Sequence, residues 1–125
     1  MRPSSAIWGN NKPRGPIINL VDNASGRGDW PHLSHYCASK AALLSVTRSL
    51  SQELAPTIRV NPVGPGAILF QDWESEEKRS SILSSIPMGR QGLAEEIAKT
   101  VLFLAAGPDY ITGQIIDVDG GWSLS

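Results

Sequence analysis

The segment Pro16-Ile17-Ile18-Asn19-Leu20-Val21 is the feature that most narrows the folds open to this chain. A short, nearly continuous apolar run reads as a strand buried on both faces, the pattern of a parallel sheet. Asp22 to His35 is rich in Gly, Ser, Asp and Pro and reads as a loop. A helix is expected from about Tyr36 to Leu54, with Ser34 placed to cap it and Pro56 to end it. Thr57-Ile58-Arg59-Val60-Asn61-Pro62-Val63 reads as a second strand on its β-branched residues. Pro62 predicts that this strand ends near it, and Gly64-Pro65-Gly66 is a sharp turn. A short helix is expected around Glu74 to Leu83. A longer one is expected from Gly92 to Ala106, where Ile97, Val101 and Leu104 fall at helical spacing before Gly107-Pro108 stops it. Gly113 to Val118 reads as a third strand, turned by Asp119-Gly120-Gly121.

Strand, helix, strand, helix, strand is the order of parallel strands joined by helical crossovers, an α/β layer fold. Ligands of open sheets gather beyond the carboxyl ends of the strands. Asp22, Gly64-Pro65-Gly66 and Asp119-Gly120-Gly121 all follow strands and are therefore predicted to share one rim, with Tyr36 carried there by its loop.

Composition removes several function classes. At 125 residues the chain is one domain's worth or less. A net charge of -1 leaves no footprint for nucleic acid or an anionic membrane surface. The longest apolar run, Val101 to Ala106, is too short to cross a bilayer. The single Cys37 rules out an internal disulfide framework and fits a reducing compartment, so a cytoplasmic location is expected. Met1 to Gly15 lacks the apolar core of a secretory signal, and Pro3, Gly9, Pro13 and Gly15 break any amphipathic helix. We read it as a poorly ordered lead-in to a single unit over residues 16–125.

Tyr36 and Lys40 carry the chemistry. Four apart, they lie on one face of a helix. A free phenol has a pKa of about 10 and moves protons poorly near neutrality. A neighbouring cation and the positive end of the helix dipole both favour the phenolate, so a lowered Tyr36 pKa and an acid/base role are expected. Asp29, His32, His35 and Cys37 crowd one loop. Without a Cys-x-x-Cys pair they do not make a zinc site, and no metal is expected. Trp30, Trp73 and Trp122 serve either packing or the wall of a pocket for a flat ring. The run Glu74 to Arg79 reads as a solvated helix face.

Four pieces in this order resemble the C-terminal half of a short-chain dehydrogenase/reductase. They are Ile17-Ile18-Asn19-Leu20, Tyr36 to Lys40, Ile58-Arg59-Val60-Asn61 running into Pro65-Gly66, and Thr112-Gly113-Gln114 leading to Val118-Asp119-Gly120-Gly121. The resemblance implies part of a Rossmann-type, doubly wound parallel sheet with three strands retained. It implies NADP(H) as cofactor, with NAD(H) as the alternative. Tyr36 would exchange the proton at the substrate oxygen or nitrogen, and Lys40 would lower the Tyr36 pKa and bind the nicotinamide ribose. Pro65, Gly66 and the Ile68 backbone would line the nicotinamide pocket. Where the family has a strand-end serine, Asn23 stands at the usual spacing; one extra loop residue would put Asp22 there instead.

An aspartate at that place resembles the pteridine reductase and dihydromonapterin reductase branch, and Asp22 could act as an acid toward a ring nitrogen. Phe70 stands where many members have a threonine. The implied reaction is hydride transfer to a pterin-type C=N bond or a carbonyl. The rival readings are a carbonyl or 3-oxoacyl reductase of the same family and a non-catalytic oligomerisation module. The family's phosphate-binding glycine turn is not found, so a fragment is expected, one that leaves the first strand an open edge. A full-length form would be a homo-oligomer.

Overall fold

The computed structural model describes residues 15–23 and 30–125. The expected lead-in, apart from Gly15, lies outside the described residues, as does Asp29.

Three strands form one parallel sheet: β1 (Ile17–Leu20), β2 (Val60–Pro65) and β3 (Ile116–Val118), in the spatial order β1-β2-β3. Ile17 pairs with Val60 and Leu20 with Val63, while Val63 pairs with Ile116 and Pro65 with Val118. The crossovers are helical. α1 (Ser34–Glu53) joins β1 to β2, and α2 (Glu76–Ser85) and α3 (Ala94–Ala106) join β2 to β3. The core gathers on β2, with Val60, Val63 and Leu104 almost wholly removed from water and Ile58, Leu44 and Ile86 around them. This is the α/β architecture read from the sequence.

Several local details differ from the sequence reading, among them the starts of β2 at Val60 rather than Thr57 and of α3 at Ala94 rather than Gly92. Ser34 does not cap α1: it is the first helical residue, and Leu33 precedes it without a side-chain cap hydrogen bond. Pro62 does not end its strand, because β2 runs on to Pro65. Residues of a parallel strand turn alternately to its two neighbours. The Val60 carbonyl accepts from Gly113 on the β3 side, so Pro62 turns its missing N–H the same way, one residue before the β3 pairing starts at Val63. Gly113 and Gln114 lie outside β3, since Gly113 adopts φ 72° and bends the chain there. Finally α2 begins two residues later than expected, where the Ser75 side chain accepts from the Lys78 N–H at 3.2 Å.

Two polar side chains bind the layers. Asn61, fully buried, donates to the Ile111 carbonyl at 2.9 Å and accepts from the Gln114 N–H at 3.0 Å. Arg59 donates to the carbonyls of Leu104 at 2.9 Å and Ala105 at 3.3 Å, closing the C-terminal end of α3 with a cation. On α1, Thr47 is buried against β1, where its hydroxyl accepts from Asn19 at 2.9 Å. The small side chains Ala38, Ala41, Ala42 and Ser45 face outward.

Candidate active site

The three strands end on one rim, and the sequence-expected groups meet there. β1 delivers Asp22 two residues past its end, and α1 returns with Tyr36 in its first turn. The Tyr36 hydroxyl donates directly to the Asp22 carboxylate. Asp22 therefore takes the place opposite the tyrosine that the sequence had divided between it and Asn23. Asn23 is buried and turns instead to the C-terminal turn, where its amide donates to Asp119 at 3.3 Å. Lys40, one turn along α1, places its ammonium 5.9 Å from the Tyr36 ring centre and donates to the Leu20 carbonyl at 3.2 Å.

This geometry reverses the expected Tyr36 titration. Burial, then the hydrogen bond to Asp22, then the charges of Asp22 and Cys37 all push the Tyr36 pKa well above the ordinary tyrosine value. The carboxylate touches the phenol, whereas Lys40 spends a hydrogen bond on a backbone carbonyl. The nearer charge wins. Tyr36 is thus held as a phenol.

β2 and β3 supply the other wall. The Gly66 N–H donates to the Val118 carbonyl at 3.0 Å. A Cβ on Gly66 would stand 2.6 Å from the Asp119 Cβ, so only glycine permits this approach. Asp119 accepts from Gly121 at 2.9 Å and Ser123 at 2.8 Å. Burial alone would raise its pKa, but the hydrogen bonds from Ser123, Gly121 and Asn23 outweigh that and hold it below the usual range. Asp117 moves upward through burial and the charges of Asp119 and Asp22. A cavity of about 260 Å³ opens beside this wall, lined by Ile68, Met88, Arg90, Glu96 and Gly120 among others. The Ile68 carbonyl is taken by the Gln91 side chain.

The remaining candidates disperse. His32 and His35 are exposed, and no group of three His, Cys, Asp or Glu among the described residues is placed to hold a metal. Trp30 and Trp122 meet edge-to-face with centroids 5.1 Å apart, while Trp73 is three-quarters exposed under the Lys78 ammonium. The sequence reading missed Asn23 as a partner of Asp119 and the pair Arg90–Glu96, joined at 2.7 Å. Their separations of 96 and six residues are not the three or four of helix neighbours, and neither pair lies within one strand, so no local signal points to them.

A three-stranded parallel sheet with helical crossovers, whose carboxyl rim carries a phenol, an ammonium and a glycine-flanked turn, defines an α/β fold of the Rossmann type. Comparison makes this specific. The family described as enoyl-(acyl carrier protein) reductase matches residues 4–123. The chain is 44% identical over 111 residues to 3-oxoacyl-[acyl-carrier-protein] reductase FabG of Rickettsia felis, covering 86% of this chain and 46% of that protein. The FabG of Thermotoga maritima is 43% identical over a similar span. Among solved structures, FolM alternative dihydrofolate reductase 1 from Brucella canis, complexed with NADP, superposes with a TM-score of 0.82 at 33% identity, covering 94% of this chain and 46% of that one. A short-chain dehydrogenase/reductase from Brucella melitensis gives 0.75 at 37% identity, covering 89% of this chain and 44% of that one. The chain belongs to the short-chain dehydrogenase/reductase family, and it spans about half the length of the relatives it matches. No helix among the described residues is long and apolar enough to cross a membrane.

Proposed function

We propose that this chain carries the proton-handling half of an NADP(H)-linked reductase acting on a pterin-type C=N bond. The observation behind this reading is the Tyr36 hydroxyl donating to the Asp22 carboxylate. A reductase must add a proton to the atom that gains negative charge, and the Tyr36 hydroxyl stands at the rim with Lys40 one turn along α1. A phenol raised above its ordinary pKa gives up its proton less readily, so the step requires the cation to outweigh the Asp22 carboxylate. Asp22 fixes the direction of the hydroxyl and offers a second polar group to a ring nitrogen. Lys40, Pro65, Gly66 and the Ile68 backbone would hold the nicotinamide end of the cofactor. The fit to that end is partial: the Lys40 ammonium suits ribose hydroxyls, but Pro65 has no N–H, the Gly66 N–H donates to Val118 and the Ile68 carbonyl accepts from Gln91, which leaves the Ile68 N–H to meet a carboxamide. Bound NADPH would supply the hydride to the carbon of the C=N bond, and Tyr36 the proton to its nitrogen. The likeness to FolM, whose structure holds NADP, supports both the cofactor and the substrate class.

A second reading is reduction of a 3-oxoacyl thioester, favoured by identities of 41–44% to FabG proteins. There the proton goes to a carbonyl oxygen. Saturable titration of the purified chain with NADPH, followed by fluorescence, favours an enzyme. NADPH consumption is then measured with a dihydropterin and with acetoacetyl thioester. Turnover of the dihydropterin alone supports the first reading, and turnover of the thioester alone replaces it with the second. Tyr36→Phe is expected to lower the rate by about 10²–10⁴-fold. Absence of NADPH binding together with a stable oligomer on a sizing column would leave only the oligomerisation module.

A further inference from the structure

The loop between β1 and α1 has to bring Asp22 and Tyr36 together from opposite ends. Both ends are fastened to the same element, the C-terminal turn over residues 119–125. At the β1 end, the buried Asn23 donates its amide to Asp119 Oδ2 at 3.3 Å. At the α1 end, Trp30 packs edge-to-face on Trp122 at 5.1 Å and 66°, and the Trp30 carbonyl accepts from Leu33, the residue before α1. Asp119 organises that turn. Its carboxylate accepts the N–H groups of Gly121 at 2.9 Å and Ser123 at 2.8 Å, which places Trp122 between them. Gly120 and Gly121, at φ 65° and 87°, allow the chain to curl back onto that carboxylate. Asp119 also backs the Gly66 turn, whose Cα has no room for a side chain against it.

We propose that Asp119 is the positioning residue of this site, holding Asn23 and the Trp122 turn together and so setting the contact between Asp22 and Tyr36. The proposal rests on Tyr36 and Asp22 forming the proton-handling pair, and it gives that pair an anchor that touches neither reacting group. If the anchor is released, Asp22 and Tyr36 are free to part, and the constraint on the phenol relaxes. Among the described residues, the charges that act on the phenol are those of Asp22 and Cys37, the Lys40 ammonium lies 5.9 Å from its ring, His35 precedes it in α1, and Asp117 and Asp119 stand across the rim.

The test follows Tyr36 itself in the full chain. The second tyrosine, Tyr110, is fully exposed and is removed by Tyr110→Phe, so a ¹³Cζ-tyrosine label reports Tyr36 alone in NMR. Without further substitution, the Tyr36 midpoint is expected above the ordinary tyrosine value. Asp119→Ala and Trp122→Ala are each expected to lower its midpoint by about one pH unit or more, and Trp122→Phe, which keeps an aromatic edge, to restore it. An unmoved titration in folded Asp119→Ala overturns the proposal. If Asp119→Ala does not fold, Asn23→Ala removes the same hydrogen bond and is judged by the same criterion. An ordinary Tyr36 midpoint in the unsubstituted site instead removes the Tyr36–Asp22 pair itself, which separates failure of that reading from failure of the anchor.

Discussion

β1 and β2 are neighbouring strands of one sheet, and the less hydrophobic of the two is the more deeply buried. β1 reads Ile-Ile-Asn-Leu, yet its residues are only half-buried and Leu20 is 46% exposed. β2 contains an asparagine, two prolines and a glycine, yet its first five residues are buried. Burial here follows the number of paired neighbours, two for β2 and one for β1 among the described residues. A polar residue can occupy the centre when its groups are all spoken for, as Asn61 does through Ile111 and Gln114. The site straddles this difference. Its glycine wall sits on the well-supported strand and its proton pair on the edge strand, which is why a separate tie from the C-terminal turn matters.

The contrast can be broken where it is strongest. Asn61→Leu keeps the branched shape but puts a larger apolar side chain in a fully buried place and removes the hydrogen bonds to the Ile111 carbonyl and from the Gln114 N–H, and is expected to cost about 2–4 kcal/mol in urea unfolding. Gly66→Ala drives a methyl group into Asp119 and is expected to cost about 1–3 kcal/mol. Ile18→Ala on the edge strand is expected to cost only about 1 kcal/mol, since its side chain is partly in water already. A loss at Ile18 equal to that at Asn61 would show that the two strands are equally supported.

The smallest effect lies on α3, at the cavity beside the β2–β3 wall. The hydrogen bond from Arg90, then the Leu93 N–H, hold Glu96 down to about 2 from an ordinary 4.5. A depressed carboxylate contributes stability above its unfolded value and loses it as the pH falls through its folded one. The thermal midpoint is therefore expected to fall between pH 4.5 and 2 slightly more steeply in the native chain than in Glu96→Gln.

Element order and strand direction were legible because apolar runs, glycine turns and helical spacing are local signals. Pro62 misled because its tolerance depends on which neighbour its nitrogen faces, a fact of register that composition does not carry. Ser34 misled because a serine near a helix start caps only if the chain enters one residue later than it does here. At the site, the spacing of Tyr36 and Lys40 and the place of Asp22 after a strand were readable. The direction of the Tyr36 titration was not, because it turns on whether the carboxylate or the ammonium makes contact. The tie between Asn23 and Asp119 joins residues 96 apart and arises only once the three strands are assembled.

Lys40 has one more consequence. In β1, Ile17 and Val21 turn toward β2, so the Leu20 carbonyl points away from the sheet, and the Lys40 ammonium occupies it. A strand docking beside β1 must stop short of that carbonyl or displace the lysine. The cation beside the phenol thereby also acts as a bolt on the outer edge, limiting how far any added strand can zip toward the rim.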